Sequence, residues 1–168
     1  QTIGKLAAEL DVHGCPPEQI DCVSIDMSPA FIKGCTEQLP NARITFDKFH
    51  VVKHLNEALD KVRKEEYARL SGQNRRYIKG QKYVLLSRQE NLTADGTQSL
   101  KALLAANERL NTAYLLKESF GQLWEYKSAA WARRFFENWK AGLAGQGLKP
   151  YEKFAEMIER HWDGIAAY

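Results

Sequence analysis

Two aspartates, Asp26 and Asp47, are the first candidates for metal-binding residues in this chain. Each ends a short apolar run, "IDCVSID" over residues 20–26 and "ARITFD" over residues 42–47. Such short, β-branched apolar runs predict buried strands. Open parallel sheets bind ligands at the carboxyl ends of their strands, where both carboxylates fall. Neighbouring carboxylates are unfavourable unless a cation neutralises them, and Mg²⁺ is usually held by one or two carboxylates.

Each aspartate also has a simpler interpretation, as the cap of the helix that follows it. This interpretation suits Asp47, because helical spacing begins at about Phe49. His50 and His54 are four residues apart, a spacing that can hold zinc. No glutamate stands between them in the HExxH manner, however, and no third ligand is evident. His50 is therefore interpreted as a hydrogen-bonding residue close to Asp47.

A strand–helix–strand unit is predicted to position these residues. Pro29 suits the first position of a helix that is predicted over about 29–39, between the two strands. Two strands joined by a helix in so short a stretch predict a parallel βαβ unit. A preceding helix is predicted over 2–13.

After Asp47 the apolar spacing becomes helical and stays so. Helices are predicted over 49–66, 99–126 (with a possible break near Asn111), 128–144 and 150–168. Residues 63–88 are predicted to hold the end of one helix, a loop and a short further element. Thr93 or Asp95 is the predicted cap of the next helix. The fold class is therefore α/β plus all-α, with an α/β portion over 1–50 and a helical portion over 51–168.

Basic residues are concentrated in one part of the chain. Residues 61–91 carry 9 Lys and Arg against 3 Asp and Glu, whereas residues 1–60 carry 5 against 9. Cations suit phosphates, and the tyrosines of "RRYIKGQKY" (75–83) could stack on unpaired bases. A solvated helix face is the plain alternative. The predicted nucleic-acid contacts are Arg63, Lys64, Arg75, Arg76, Lys79 and Lys82. The aromatic side chains of residues 120–139 are predicted to form core instead.

Several classes of protein are disfavoured by the composition. No apolar run approaches the roughly 18 residues that a membrane span requires, and no glycine-rich phosphate loop is present. The three cysteines form no paired framework. The chain begins without Met and its last predicted helix runs to the final residue, so we expect a segment of a longer protein.

The stretch "VSIDMSPAFIKGCTEQLPNARITFDKFHVVKHLNEALDKVR" (23–63) resembles the middle of bacterial insertion-sequence transposases of the ISL3 family. The resemblance lies in a strand ending in Asp-Met, a helix, a Pro-x-Ala turn and a second strand ending in Asp. Phe-His-Val-Val and a helix with Ala-Leu-Asp-x-Val-Arg follow. "AYLLKESFGQLW" (113–124) is similar to the helical insert of that family.

The resemblance implies a DDE transposase, in which three carboxylates of an RNase H-like core hold two Mg²⁺ or Mn²⁺ ions. Asp26 matches the second carboxylate, which binds metal, while Asp47 and His50 match a D-x-x-H element that shapes the site. The first Asp is expected before Gln1 and the Glu after Tyr168. The implied architecture is a partial RNase H-like core over 1–50 followed by a helical insertion region over 51–168. Alone, this segment is expected to be inactive and to bind metal weakly.

The implied activity is cleavage and transfer of DNA strands, with transposon ends and target DNA as partners. A homo-oligomer on DNA is expected, in the bacterial cytoplasm at the nucleoid and without membrane attachment. Two other classes stay open at this point. One is a non-catalytic helical module that binds nucleic acid or regulates, and the other is a different Mg²⁺-dependent α/β enzyme, such as a phosphotransfer domain with Asp26 as acceptor.

Overall fold

The computed structural model describes residues 2–167, apart from the side chains of residues 73 and 74. Its strands and helices, in chain order, are α1 (Thr2–Val12), β1 (Cys22–Ile25), α2 (Pro29–Gln38), β2 (Arg43–Phe46), α3 (Lys48–Arg69), α4 (Gly72–Gly80), α5 (Lys82–Leu86), α6 (Ala94–Ala106), α7 (Glu108–Phe120), α8 (Ala129–Ala141), α9 (Lys149–Arg160) and α10 (Trp162–Ala166). Short 3-10 helices lie at Pro17–Gln19, Gln89–Asn91 and Gly121–Glu125. The chain is thus mostly helical, with a small sheet near its start.

The two strands pair in parallel, as the sequence predicts. Cys22 lies opposite Arg43, and Ile25 lies opposite Phe46. Each strand ends one residue before its aspartate, and β1 starts two residues later than predicted. The strands are shorter than the apolar runs because a 3-10 turn precedes β1 and each aspartate already belongs to the turn that follows its strand.

The chain divides into two compact units. The first comprises Gln1–Val52 together with Ile158–Tyr168, and the second comprises Lys53–Met157. The division predicted from sequence fell at residue 50 and left 158–168 in the helical region. In the structure these last residues belong with the sheet, since α10 packs on β2 and the rings of Phe46 and His161 lie 5.1 Å apart, edge to face.

The first unit is built around the apolar face of its sheet. Ala7 of α1 and Cys35 and Leu39 of α2 are buried there, and they pack against the partly buried apolar side chains Ile3, Ile20, Val23, Ile25, Ala42 and Ile44. The helices α1 and α2 approach closely at Gly34. An ideal Cβ on this residue would lie only 2.9 Å from Cγ1 of Ile3, which is too close for ordinary contact. Burial raises the pKa of the Cys35 thiol, which therefore packs as a small apolar side chain.

The second unit is an all-helical bundle with an aromatic core. The ring of Phe120 lies edge to face with Trp139 at 4.9 Å and with Phe154 at 5.1 Å. The hydroxyl of Tyr151 donates to the backbone oxygen of Ala113 at 2.6 Å, and burial raises the pKa of this tyrosine. The prediction that the aromatic residues of 120–139 form core holds for Phe120, Phe136 and Trp139. It is wrong for Trp131, which is 57% exposed, and for Tyr126, which is 41% exposed.

Two helices of the second unit, α6 and α7, start at residues whose side chains cap them. Thr93 accepts a hydrogen bond from the backbone N–H of Gly96 at 3.1 Å and begins α6, as one of the two predicted caps. The predicted long helix breaks at Asn107 rather than near Asn111. The side chain of Asn107 accepts from the N–H of Leu110 at 2.9 Å and so begins α7.

A partly buried ionic network joins α3 to α7. Glu66 accepts hydrogen bonds from Arg109 at 2.8 Å, from Arg69 at 3.0 Å and from Asn107 at 3.0 Å. Arg109 also donates to Glu65 and to the backbone oxygen of Gly147 at 2.9 Å. Burial opposes ionisation of Glu66, but these hydrogen bonds and the arginine charges hold its pKa below the usual value.

Within residues 2–167, no helix is both long enough and apolar enough to cross a membrane.

Candidate functional site

Asp26 and Asp47 directly follow the paired last residues of β1 and β2. Each follows a member of the last strand pair, Ile25 and Phe46, and the N–H of Asp47 donates to the backbone oxygen of Ile25 at 3.3 Å. Neighbouring strands lie about 5 Å apart. The sequence prediction that both carboxylates stand at one end of a parallel pair is therefore confirmed as backbone placement.

Both carboxylates are fixed to the backbone by one oxygen. Oδ1 of Asp26 accepts from the N–H of Ser28 at 2.8 Å, in the turn that leads into α2. Oδ1 of Asp47 accepts from the N–H of Phe49 at 2.8 Å, which satisfies one of the free donors at the start of α3. Asp47 is therefore the cap of α3, as its simpler interpretation predicts, and capping occupies just one of its two oxygens.

The two carboxylates fit part of a site for a hard divalent cation. Carboxylate oxygens are what Mg²⁺ prefers, and Mg²⁺ commonly takes one or two carboxylates and completes its shell with water or phosphate. In the part of the chain that the structure describes, no group of three or more His, Cys, Asp or Glu side chains could hold a metal ion. Asp26 and Asp47 alone are thus fewer ligands than such a group requires.

His50 lies in the first turn of α3, which Asp47 caps. Its ring is edge-on to that of Phe49, with centroids 5.6 Å apart, and the backbone N–H of His50 donates to the backbone oxygen of Asp47 at 3.0 Å. His54 makes a different contact, since its Nδ1 lies 3.2 Å from a carboxylate oxygen of Glu57. Nothing among the described side chains adds the further ligands that a zinc site on these two histidines requires.

The basic segment forms two short helices in the second unit. Ile78 of α4 and Leu85 of α5 are buried and anchor them. Arg75, Arg76 and Lys79 are exposed on α4, and Lys82 is half-buried at the start of α5. No acidic residue occurs between Leu70 and Gln89. Tyr83 is 78% exposed, with the Lys82 amine 5.8 Å from its ring centroid.

Two of the predicted DNA contacts, Arg63 and Lys64, are engaged with Asp60. Arg63 is 7% exposed, and its Nη2 and Nε lie 2.7 and 2.8 Å from Oδ1 of Asp60. Lys64 reaches Oδ2 of Asp60 at 2.9 Å, yet its side chain is 66% exposed. Burial opposes ionisation of Asp60, but hydrogen bonds from the two cations hold its pKa below the usual value. The Arg63 guanidinium neutralises a buried carboxylate, because leaving Asp60 unpaired in a buried position is unfavourable.

One residue near the site was missed at the sequence level. Gly164 lies in α10, which packs on the strand that leads into Asp47. The signal was present, since an isolated glycine inside a helical pattern such as "HWDGIAAY" usually has a packing reason.

The described residues define a class by fold: an α/β unit whose two parallel strands each end at an aspartate, and a helical unit that carries a basic segment. Comparison with known proteins narrows the class. The transposase for insertion sequence element IS1001 of Bordetella parapertussis is 33% identical over 153 residues, which cover 89% of this chain and 38% of that protein. The transposase for IS1557 of Mycobacterium tuberculosis is 28% identical over 172 residues, with the same coverage, in strains CDC 1551 / Oshkosh and H37Rv.

The family model of the ISL3 group of DDE transposases, described as "Transposase", matches residues 1–168, and the chain belongs to this family. The chain spans little more than a third of the length of the curated relatives that it matches. No solved structure matches the chain significantly.

Proposed function

We propose that this chain is part of the catalytic region of an insertion-sequence transposase, which cleaves DNA strands and transfers them in a metal-dependent reaction. The observation that carries the proposal is the register of the sheet, which brings Asp26 and Asp47 side by side at the ends of β1 and β2. Family membership supports the same reaction class. In this proposal the α/β unit is part of an RNase H-like core, and the helices of Lys53–Met157 form an insertion into it.

Asp26 is the proposed metal ligand. Its Oδ1 is held by the N–H of Ser28, which orients the carboxylate and leaves Oδ2 to meet a cation. Asp47 and His50 are proposed to shape the site, since Asp47 fixes the start of α3 and His50 follows within the same turn. Mg²⁺ or Mn²⁺, when bound, would activate a water or a DNA 3′-hydroxyl and stabilise the leaving oxygen.

DNA is the proposed partner, as transposon end and as target. Lys64, Arg75, Arg76, Lys79 and Lys82 are the proposed phosphate contacts, because their ammonium and guanidinium groups lie on or near the surface of the second unit. We remove Arg63 from this set, since its guanidinium is buried against Asp60. A homo-oligomer assembled on DNA, at the nucleoid in the bacterial cytoplasm, completes the proposal.

Residues 1–168 alone are proposed to be inactive. The reaction implied by the family requires three carboxylates, and of these the segment is proposed to supply Asp26. With Asp47 as the nearest other carboxylate, most of the coordination shell of a bound ion would be water, so we expect weak binding of Mg²⁺ and Mn²⁺.

The experiment that tests the proposal is a cleavage assay on labelled transposon-end DNA with the full-length protein. Asp26→Asn keeps the size of the side chain but removes the charge that a hard cation needs, so we expect cleavage to be abolished while DNA affinity stays near that of the wild type. Asp21→Asn is the matched control, because Asp21 is exposed just before the other end of β1. Cleavage by Asp26→Asn at the wild-type rate would refute the assignment.

A further inference from the structure

Helix α10 lies against the strand that leads into Asp47. An ideal Cβ on Gly164 would lie 2.5 Å from both Cδ2 and Cε2 of the Phe46 ring and 3.2 Å from the backbone oxygen of Ile44. Carbon atoms in contact ordinarily lie about 3.5 to 4 Å apart. A glycine is therefore required at this position for α10 to approach β2 as closely as it does.

The Phe46 ring has little room to move away from such a Cβ. It is 5% exposed, and the ring of His161 holds it edge to face at 5.1 Å. Burial, followed by the charge of Arg160, lowers the pKa of His161 below its usual value, which favours the neutral form of the ring.

A shift of Phe46 would be passed to both candidate metal-site residues. Phe46 directly precedes Asp47 and pairs with Ile25, which directly precedes Asp26. The N–H of Asp47 also donates to the backbone oxygen of Ile25. Phe46 is thus linked through the backbone to the residues that carry both carboxylates.

We propose that Gly164 is a positioning residue for the metal site. Because Gly164 lets α10 pack closely against Phe46, it fixes the ends of β1 and β2 and so the position of the Asp26 carboxylate, with Asp47 on the neighbouring strand. The inference rests on the proposed function, since it assumes that Asp26 binds metal and that Asp47 shapes the site. It adds that a segment far along the chain, after the helical unit, controls the geometry of the site.

The test uses the full-length protein and the substitution Gly164→Ala. Because displacement of a reacting group by about 1 Å can reduce a rate about a hundredfold, we expect cleavage to fall by that order. Loss of support behind a metal ligand weakens metal affinity about tenfold or more, so the dissociation constant for Mn²⁺, measured by electron paramagnetic resonance on the DNA complex, should rise by that factor. DNA affinity without metal should not change.

Gly34→Ala is the control for a merely structural effect. Its Cβ would lie 2.9 Å from Cγ1 of Ile3, so it creates a clash in the same unit at the contact between α1 and α2. We expect this variant to lower the unfolding temperature while leaving the affinity for Mn²⁺ unchanged. Adding Phe46→Leu to Gly164→Ala removes the aromatic ring that the new Cβ would clash with. This double variant should recover most of the Mn²⁺ affinity and of the cleavage rate.

The outcomes separate this inference from the proposed function. If Gly164→Ala binds Mn²⁺ as tightly as the wild type, if Gly34→Ala weakens Mn²⁺ binding equally, or if Phe46→Leu restores nothing, Gly164 is not a positioning residue. If Asp26→Asn binds Mn²⁺ as tightly as the wild type, the metal-site assignment itself fails, whatever the Gly164 variants do.

Discussion

Neutralising Arg75 and Arg76 should weaken the salt dependence of DNA binding by a calculable amount. Helices α4 and α5 carry four of the proposed phosphate contacts, namely the exposed Arg75, Arg76 and Lys79 and the half-buried Lys82. Each phosphate contact contributes about 0.9 to the slope of log affinity against log salt, so four contacts contribute a slope of about −3.6. Between 50 and 200 mM salt this slope corresponds to a loss of about 150-fold in affinity.

The double substitution Arg75→Gln/Arg76→Gln removes two of these contacts. The remaining pair contributes a slope of about −1.8, or about 12-fold over the same range, so the double variant should be about 12-fold less sensitive to salt than the wild type. Fluorescence anisotropy of a labelled duplex in a titration with KCl measures this slope for the full-length protein.

The matched control is Lys149→Gln/Lys153→Gln, which removes two exposed charges from α9, outside the basic segment. Its slope should equal that of the wild type. An unchanged slope in the Arg75→Gln/Arg76→Gln variant, or an equal change in the control, would show that α4 does not bind phosphates.

Two further predictions concern stability. Arg109→Leu removes one charged hydrogen-bond partner of Glu66, which keeps Arg69 and Asn107, and should lower the free energy of unfolding by about 2 kcal/mol, measured by urea denaturation. A loss no greater than that of an exposed substitution such as Lys153→Ala would contradict a structural role for the network. The lowered pKa values of Asp60 and Glu66 contribute stability that is fully present above their usual values of 3.8 and 4.5 and is lost as the pH falls through the lower folded-state values. Thermal unfolding between pH 6 and pH 2 should therefore show a smaller acid loss for Asp60→Asn than for the wild type, and equal losses would refute this assignment.

The parallel strand pair could be predicted from sequence because its signals are local. Apolar runs of strand length, a proline at the start of the intervening helix and the switch to helical spacing after Asp47 together specify a βαβ unit. The cap at Asp47 followed from the same switch. The break in the long helix was misplaced because Asn107 and Asn111 are equally good caps by type, and only the N–H of Leu110, bonded to Asn107, distinguishes them.

What the sequence could not show depends on contacts between distant residues. Arg63 and Arg75 look alike in a basic segment, but Arg63 is buried against Asp60 whereas Arg75 is exposed, with its guanidinium 4.4 Å above the ring of Tyr67. Trp131 lies in the same aromatic pattern as Trp139 yet points away from the core. The packing of α10 on β2 joins residues that are far apart in the chain, and local periodicity carries no information about such a contact.

The most direct test of the central claim, that the Asp26 carboxylate binds the catalytic metal ion, is a change of metal preference in the full-length protein. Asp26→Cys replaces a hard oxygen ligand with a softer thiolate, which binds Mg²⁺ poorly and tolerates Mn²⁺ better. We expect cleavage of transposon-end DNA by this variant to be lost in Mg²⁺ and partly restored in Mn²⁺, while Asp21→Cys cleaves in both ions with the wild-type ratio. An Asp26→Cys protein with the wild-type ratio of Mn²⁺ to Mg²⁺ activity would contradict direct ligation by Asp26.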